Sequence, residues 1–244
     1  MPSKYFSFSD VDKGIATQFP STKVAFCTGN NVRVTPGFIS KTFGKLFITT
    51  NSGALPIRDM FTFVGTDGAV RTIVCCDTAV YAYDETFENY SVITPTPAPT
   101  IGVWQFALVS GLPILSHGED PIWKWADYSG VLTNLANAPT YAKRLTSCMN
   151  RLVISNVGEG GYEYTGRVRW SEPGNPENWT IDTTGKSGRH DIMDYHGGVE
   201  AFANVKAQIT RGHEVFFFTE RGLWKCDFSA VDRNFILVNP STEI

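Results

Sequence analysis

One local pattern recurs four times along the chain, and it constrains the fold more than any other feature. Each copy is a continuous apolar run, a polar turn and then a strand rich in aromatic residues. The runs are residues 72–75, 113–116, 152–155 and 215–218, and the aromatic strands are residues 80–84, 122–125, 168–171 and 223–227. An uninterrupted apolar run is typical of a strand covered on both faces. The spacing between copies, roughly 40 to 55 residues, is that of propeller blades.

The pattern predicts an all-β chain built as a propeller-like repeat of four antiparallel blade units, either complete or truncated. We place an N-terminal arm and linking strands at residues 1–56 and the propeller-like domain at residues 57–244. The predicted units are residues 57–94, 102–135, 141–180 and 199–238. Residues 183–198 are rich in glycine and charge and predict a surface loop or short helix, and residues 198–208 suit a helix or a strand.

The N-terminal part has weaker signals. Residues 1–31 show no sustained period, which suits an arm on another surface or a strand of this chain's own sheet. Residues 32–38 then predict a strand that ends at Pro36–Gly37, and residues 46–49 predict another.

The most distinctive stretch is residues 167–180, with the sequence RVRWSEPGNPENWT. In its first part, successive side chains alternate between two faces as they do in a strand. The prolines that follow are incompatible with a helix and with hydrogen-bonded strand pairing, so the chain must reverse direction. None of its side chains suggests catalysis. We interpret it as a shaped loop for docking a partner. The candidate docking residues are Arg169, Trp170, Ser171, Pro173, Gly174, Asn175, Pro176 and Trp179.

The six tryptophans fall at repeated places in the strand pattern, which favours packing between blades. We expect Trp170 to be buried within a sheet and Trp179 to pack beneath the turn at residues 173–176. The alternative is a sugar-binding surface, and Trp179 with its rigid turn is then the residue best placed to be presented to a partner.

Composition narrows the functional classes. The chain has 244 residues, of which 42% are hydrophobic and 18% charged, as in an ordered globular protein. Its net charge of −3 provides no positive electrostatic field for binding nucleic acid. We find no secretion signal and no apolar run long enough for a membrane helix. Five cysteines without CxxC spacing predict reduced thiols in the core.

Two groups of polar residues carry side chains of the kinds used in catalysis or metal binding. His190, Asp191, Asp194 and His196 have ligand types that bind divalent ions, but a solvated loop is the favoured interpretation. Acidic residues near the predicted turns have two interpretations. They could be the catalytic carboxylates of a propeller glycosidase, or they could reflect the general preference of carboxylates for turns. These acidic residues are Glu119, Asp120, Glu159, Glu163, Glu172 and Glu220. Gly158–Gly161 lacks the lysine of a phosphate loop. We therefore predict no catalytic residue, no metal and no cofactor.

A resemblance to a known family rests on a series of motifs. They are residues 32–38 (VRVTPGF), 79–83 (AVYAY), 118–125 (GEDPIWKW), 137–139 (NAP), 167–171 (RVRWS), 175–179 (NPENW) and 218–224 (FTERGLW). In these the chain resembles the β-propeller tail hub and nozzle proteins of short-tailed bacteriophages over residues 30–240. Such proteins usually continue for further blades, whereas this sequence ends at Ile244.

The resemblance implies a structural protein of the virion tail, assembled in the host cytoplasm as a homo-oligomeric ring. It implies contacts with other tail or head-completion proteins and a lumen through which DNA passes without specific contact. The alternatives are a carbohydrate-binding or receptor-binding propeller and a propeller-fold glycoside hydrolase. We expect open sheet edges to be closed by the arm, by a second copy or by another virion protein.

Overall fold

The computed structural model describes residues 32–35, 38–41, 56–84, 89–100, 102–181, 186–196, 199–229 and 235–238. The chain divides into two compact units, residues 1–53 and 54–244. In the first unit, β1 (Val32–Thr35) and β2 (Phe38–Lys41) form an antiparallel hairpin. The predicted arm at residues 1–31 and the predicted strand at 46–49 lie outside the described residues.

The second unit contains four sheets, each of four antiparallel strands in chain order. Sheet 1 is β3 (Ile57–Val64), β4 (Val70–Cys76), β5 (Val80–Asp84) and β6 (Asn89–Val92), and sheet 2 is β7 (Gln105–Val109), β8 (Leu112–Ser116), β9 (Trp123–Lys124) and β10 (Thr133–Asn134). Sheet 3 is β11 (Tyr141–Cys148), β12 (Arg151–Glu159), β13 (Tyr162–Trp170) and β14 (Gly188–Asp191). After the hairpin of β15 (Met193–His196) and β16 (Val199–Phe202), sheet 4 is β17 (Val205–Arg211), β18 (Glu214–Thr219), β19 (Leu223–Asp227) and β20 (Phe235–Val238).

This architecture confirms the prediction of an all-β, propeller-like repeat of four antiparallel units. Among the described residues no α-helix is present, and the longest helical element is a single turn at Ala126–Tyr128. No helix in the described part of the chain is long and apolar enough to cross a membrane.

One expectation between sheets 3 and 4 is wrong, and one open alternative is decided. Residues 183–198 were expected to be a loop or short helix, but β14 and β15 lie there, and β14 pairs with the end of β13. Of the helix and the strand considered for residues 198–208, the structure contains the strand, because β16 and the start of β17 lie in that range. β14 depends on β13, whose paired residues lie 18 to 24 positions earlier in the chain, and local propensity does not reveal such a partner.

The sheets pack in sequence through three apolar clusters. Phe63, Ile73 and Trp125 belong to the cluster between sheets 1 and 2, and Ile154 to that between sheets 2 and 3. Val168 lies in the cluster between sheets 3 and 4. Strand β12 packs against both neighbouring sheets. It is buried over eight residues, as its continuous apolar run predicts. The first strand of sheet 3 lies beside the first strands of sheets 2 and 4, as in neighbouring propeller blades.

The four cysteines within the described residues, Cys75, Cys76, Cys148 and Cys226, are free and buried. Burial raises the pKa of Cys75 and Cys76, and it raises that of Cys148 to about 11. These side chains act as small apolar groups in the core, as the sequence predicts.

Candidate functional site: a face of connected hairpin turns

The candidate docking loop is anchored at its base by the strand residues that precede it. Arg169 is buried, pairs with Glu159 and donates from Nη2 to the carbonyl of Trp179 at 2.9 Å. Its guanidinium also lies 5.9 Å from the Trp179 ring. A buried arginine that holds a backbone carbonyl fixes both ends of the loop to sheet 3.

Ser171 provides a second anchor. The backbone amide of Ser171 donates to the carbonyl of Leu152 at 3.0 Å, and its Oγ accepts from the amide of Leu152 at 3.0 Å. Ser171 is fully buried. The central strand β12 therefore holds the loop at the point where β13 ends.

The two tryptophans of the stretch lie on opposite faces of sheet 3. Trp170 is 6% exposed and packs in the cluster shared with sheet 4, which confirms its predicted burial. Trp179 is 4% exposed and packs in the cluster shared with sheet 2. The alternative in which Trp179 is presented to a partner is therefore wrong. Trp104, Trp123 and Trp125 are buried as well, so blade packing explains them.

The loop folds into a tight turn with an exposed tip. The amide of Asn175 donates to the carbonyl of Glu172 at 3.2 Å, and Gly174 has a φ of 74°, which favours glycine. Pro173, Gly174 and Asn175 are exposed, whereas Pro176 is buried. The loop thus presents three neighbouring residues to solvent on a fixed backbone.

Glu177 connects the loop to sheet 2. Its Oε1 accepts from Lys124 Nζ at 2.8 Å and from the amide of Ala136 at 2.9 Å. Burial opposes ionisation of this carboxyl, but the hydrogen bonds from Lys124 and Ala136 outweigh it and lower the pKa of Glu177. The loop is consequently held by two sheets rather than one.

The exposed tip also touches the turns that join the first two strands of sheets 2 and 3. The amide of Gly174 donates to the carbonyl of Asn150 at 2.7 Å. Asn150 Oδ1 in turn accepts from the amide of Ser110 at 3.0 Å and from its Oγ at 2.8 Å. Ser110 and Asn150 have φ values of 50° and 57°, as two-residue hairpin turns of the primed types require.

Tyr128 extends this connection to sheet 1. Its Oη donates to the carbonyl of Gly111 at 2.7 Å and accepts from the amide of Thr66 at 2.7 Å. The Arg71 guanidinium lies over its ring at 4.4 Å. We call the connected residues Thr66, Ser110, Gly111, Tyr128, Asn150, Pro173, Gly174 and Asn175 the turn face.

A cavity of about 170 Å³ opens on the turn face. Aromatic, hydroxyl and carboxylate groups line it together. The lining residues are Thr66, Ser110, Gly111, Leu112, Trp125, Asp127 and Tyr128. Asp127 and Tyr128 have φ values of 54° and 52°. Left-handed backbone at two successive non-glycine residues is uncommon and is kept only where the surroundings enforce it.

The acidic residues considered for catalysis lie in ion pairs and hydrogen bonds. Glu163 pairs with Lys143 at 2.6 Å, Glu220 with Lys206 at 2.7 Å, and Asp120 accepts from Thr100 Oγ1 at 2.8 Å. Glu159 pairs with Arg167 and Arg169, and Glu172 accepts from Asn178 Nδ2 at 2.8 Å. Glu119 is exposed, 4.0 Å from Lys143. Five of the six carboxylates therefore take part in an ion pair or hydrogen bond, and Glu119 lies at the limit of one.

The histidine–aspartate cluster is not a solvated loop, contrary to expectation. His190 lies on β14 and stacks on Phe235 with ring centroids 4.1 Å apart, and burial lowers its pKa. Asp191 receives two hydrogen bonds from Arg167, at 2.7 and 2.8 Å. Among the described side chains, no three histidine, cysteine or acidic residues are placed to hold a metal ion.

Sequence reasoning predicted the turn at residues 173–176 but missed two residues of the turn face, Asn150 and Tyr128. Nothing local in the sequence shows that Asn150 bonds both to Ser110 and to Gly174. Tyr128 carried no signal beyond its aromatic character. Asn150 and Tyr128 reach the other residues of the turn face only because of how the sheets pack.

Comparison with known proteins leaves the family open, because no protein-family model and no curated protein matches the chain. It is similar to the solved structure of YCF48 bound to D1 peptide, with 14% identity, a TM-score of 0.41 and coverage of 68% of this chain and 49% of that one. The computationally designed Ika4 protein gives 10% identity, a TM-score of 0.42 and coverage of 81% and 100%. The tricorn protease gives 12% identity, a TM-score of 0.28 and coverage of 74% and 22%. This chain thus spans about half the length of the YCF48 chain, and similarities at this level indicate no activity.

Proposed function

We propose that the chain is a structural virion protein of a short-tailed bacteriophage, located in the tail hub, nozzle or head-to-tail connector region. In this role it forms a ring around the DNA-exit channel and docks other tail or head-completion proteins. The motifs of residues 167–171 and 175–179, which resemble those of tail hub and nozzle proteins, support the assignment to a tail. A net charge of −3 is compatible with DNA that passes without being gripped.

One observation carries the docking part of the proposal. The tip residues Pro173, Gly174 and Asn175 are exposed, while the loop beneath them is held by Arg169, Ser171 and Glu177. A loop that is already ordered loses little conformational entropy on binding. The turn face is therefore suited to rigid docking of another protein.

The first experiment tests location. Antibodies against the purified chain are used to label intact particles of the virus that encodes it, and the label is located by electron microscopy. We expect label at the tail. Particles without label at the tail, together with label on the same chain in infected-cell extract, would contradict the virion role.

The second experiment tests docking. Binding of the purified chain to purified tail and head-completion proteins is compared with that of Pro173→Glu, which places a charge on the exposed tip. The matched control is Tyr162→Ser, because Tyr162 is 71% exposed at the opposite end of sheet 3. We expect Pro173→Glu to weaken binding about tenfold or more, as for a residue at the centre of an interface. Equal binding by both variants would reject the turn face as the docking surface.

Carbohydrate binding is the second candidate, and the cavity on the turn face is the observation that favours it. Trp125 and Tyr128 border it, with Asp127 and Ser110 as polar groups. Such mixtures of aromatic and polar groups orient small polar ligands. A glycan array with the wild-type chain and Asp127→Asn separates the two functions, because only a sugar-binding chain gives signals that the variant loses.

A further inference from the structure

The cavity on the turn face offers a ligand more hydrogen-bond acceptors than donors. Three of the four lining side chains that carry an N–H or O–H already donate within the protein. Ser110 Oγ donates to Asn150 Oδ1 at 2.8 Å, and Tyr128 Oη donates to the carbonyl of Gly111 at 2.7 Å. Trp125 Nε1 donates to a backbone carbonyl at 3.3 Å. Since each of these groups has a single hydrogen, none of the three retains a donor for a ligand.

Asp127 adds a negative charge to the same cavity. Its side chain is exposed, and within the part of the chain that the structure describes, no donor or basic group is bound to its carboxylate. The nearest opposite charge is not free to compensate it, because Arg71 holds Asp67 with hydrogen bonds of 2.8 and 2.7 Å. Asp127 is the one charged residue among those that line the cavity, so the lining has an uncompensated negative charge.

The carboxylate of Asp127 stands on a fixed backbone. Asp127 and Tyr128 have φ values of 54° and 52°, and the Tyr128 hydroxyl is held by Gly111 and by the amide of Thr66. The residue next to Asp127 in the chain is therefore tied to two neighbouring turns. An acceptor that is ordered before binding loses little conformational entropy when a ligand arrives.

The size and the aromatic border of the cavity restrict its ligand further. A volume of about 170 Å³ is below the roughly 300 to 1,000 Å³ of sites that enclose drug-sized ligands, so it suits one side chain. The rings of Trp125 and Tyr128 border it, and cations bind favourably to the faces of such rings. The Tyr128 ring already receives the guanidinium of Arg71 at 4.4 Å.

We propose that this cavity binds an arginine side chain of the protein that docks on the turn face. The guanidinium donates to the carboxylate of Asp127 and lies beside the aromatic border. Arginine suits the lining because it has several N–H donors, no acceptor and a planar group that stacks on aromatic rings. A sugar hydroxyl, in contrast, both donates and accepts. The inference rests on the proposed docking function and names the residue type by which the partner is recognised.

Nuclear magnetic resonance of the isotope-labelled full chain tests the cavity without any partner protein. The chain is titrated with Nα-acetyl-arginine amide and, separately, with Nα-acetyl-citrulline amide, in which a neutral urea replaces the guanidinium at nearly the same size. We expect saturable shifts of the backbone amide signals of Asp127 and Tyr128 with the arginine compound alone. Absence of a saturable shift, or equal shifts with the citrulline compound, would overturn the proposal.

Two variants show whether the carboxylate of Asp127 is responsible. Asp127→Asn keeps a residue type that tolerates positive φ, and it should raise the dissociation constant of the arginine compound about tenfold, because a hydrogen bond to a charged acceptor is replaced by a neutral one. The matched control is Glu119→Gln, since the Glu119 side chain is 79% exposed and follows β8 at the end of sheet 2 opposite Gly111. The control should bind as the wild type does, and equal losses in both variants would contradict the role of Asp127.

The test is independent of the experiments on location and docking. If the glycan array gives signals that Asp127→Asn loses and the arginine compound gives no shift, the cavity binds carbohydrate and the inference is wrong. Failure of the arginine compound leaves docking through residues 173–175 unaffected. Failure of tail proteins to bind would remove the proposed partner, but it would leave the measured affinity of the cavity for a guanidinium group unchanged.

Discussion

Replacing Trp170 by alanine should destabilise the chain severely. The side chain is 6% exposed and lies edge-on to Phe228 at 5.8 Å and beside Phe235 at 6.1 Å between ring centroids. Removing a buried tryptophan costs about 3–5 kcal/mol, because both the burial and the packing around it are lost. Urea denaturation followed by circular dichroism measures the loss. The control Tyr162→Ala removes a 71% exposed ring and should change stability by less than about 0.5 kcal/mol.

A second substitution tests whether the Trp170 ring packs on β14. Gly188 lies against the Trp170 ring, and a Cβ built on Gly188 would come within 2.5 Å of Trp170 Cζ2. Gly188→Ala should therefore cost about 1–3 kcal/mol by overpacking. In the Trp170→Leu background most of that cost should vanish, because the ring that clashes is absent. Additive losses in the double variant, or a nearly neutral Trp170→Ala, would show that Trp170 does not pack on β14.

Three further outcomes are expected. Asp191→Asn should destabilise the chain at neutral pH, but the difference in stability from the wild type should shrink as pH falls below about 4. The reason is that hydrogen bonds from Arg167 lower the folded-state pKa of Asp191, so the stabilising contribution of the carboxylate is lost as pH falls through that pKa. Denaturation at several pH values measures this loss. Cys148, whose pKa is raised to about 11 by burial, should resist alkylation at pH 8 until denaturant is added, as peptide mass mapping would show. Tyr128→Phe should cost about 1 kcal/mol by removing the hydroxyl shared by Thr66 and Gly111, seen as a lower urea midpoint with an unchanged slope.

Much of the fold could be predicted from alternation and turn chemistry. The apolar run of β12 indicated a strand covered on both faces, and the structure contains that strand. Short strands were harder. Gly188–Asp191 carries no strand pattern of its own and becomes one because the end of β13 offers an unpaired edge.

The candidate site divides in the same way. The sequence by itself determined that residues 173–176 must turn, because proline fixes φ and lacks a backbone N–H donor, and that Trp170 suits a buried strand position. Only the tertiary structure decided that Trp179 is buried and that Asn150 links Ser110 to Gly174, since Asn150 is 40 positions from Ser110 and 24 positions from Gly174. Local rules act over a few residues, whereas the neighbours of a turn are chosen by the packing of whole sheets.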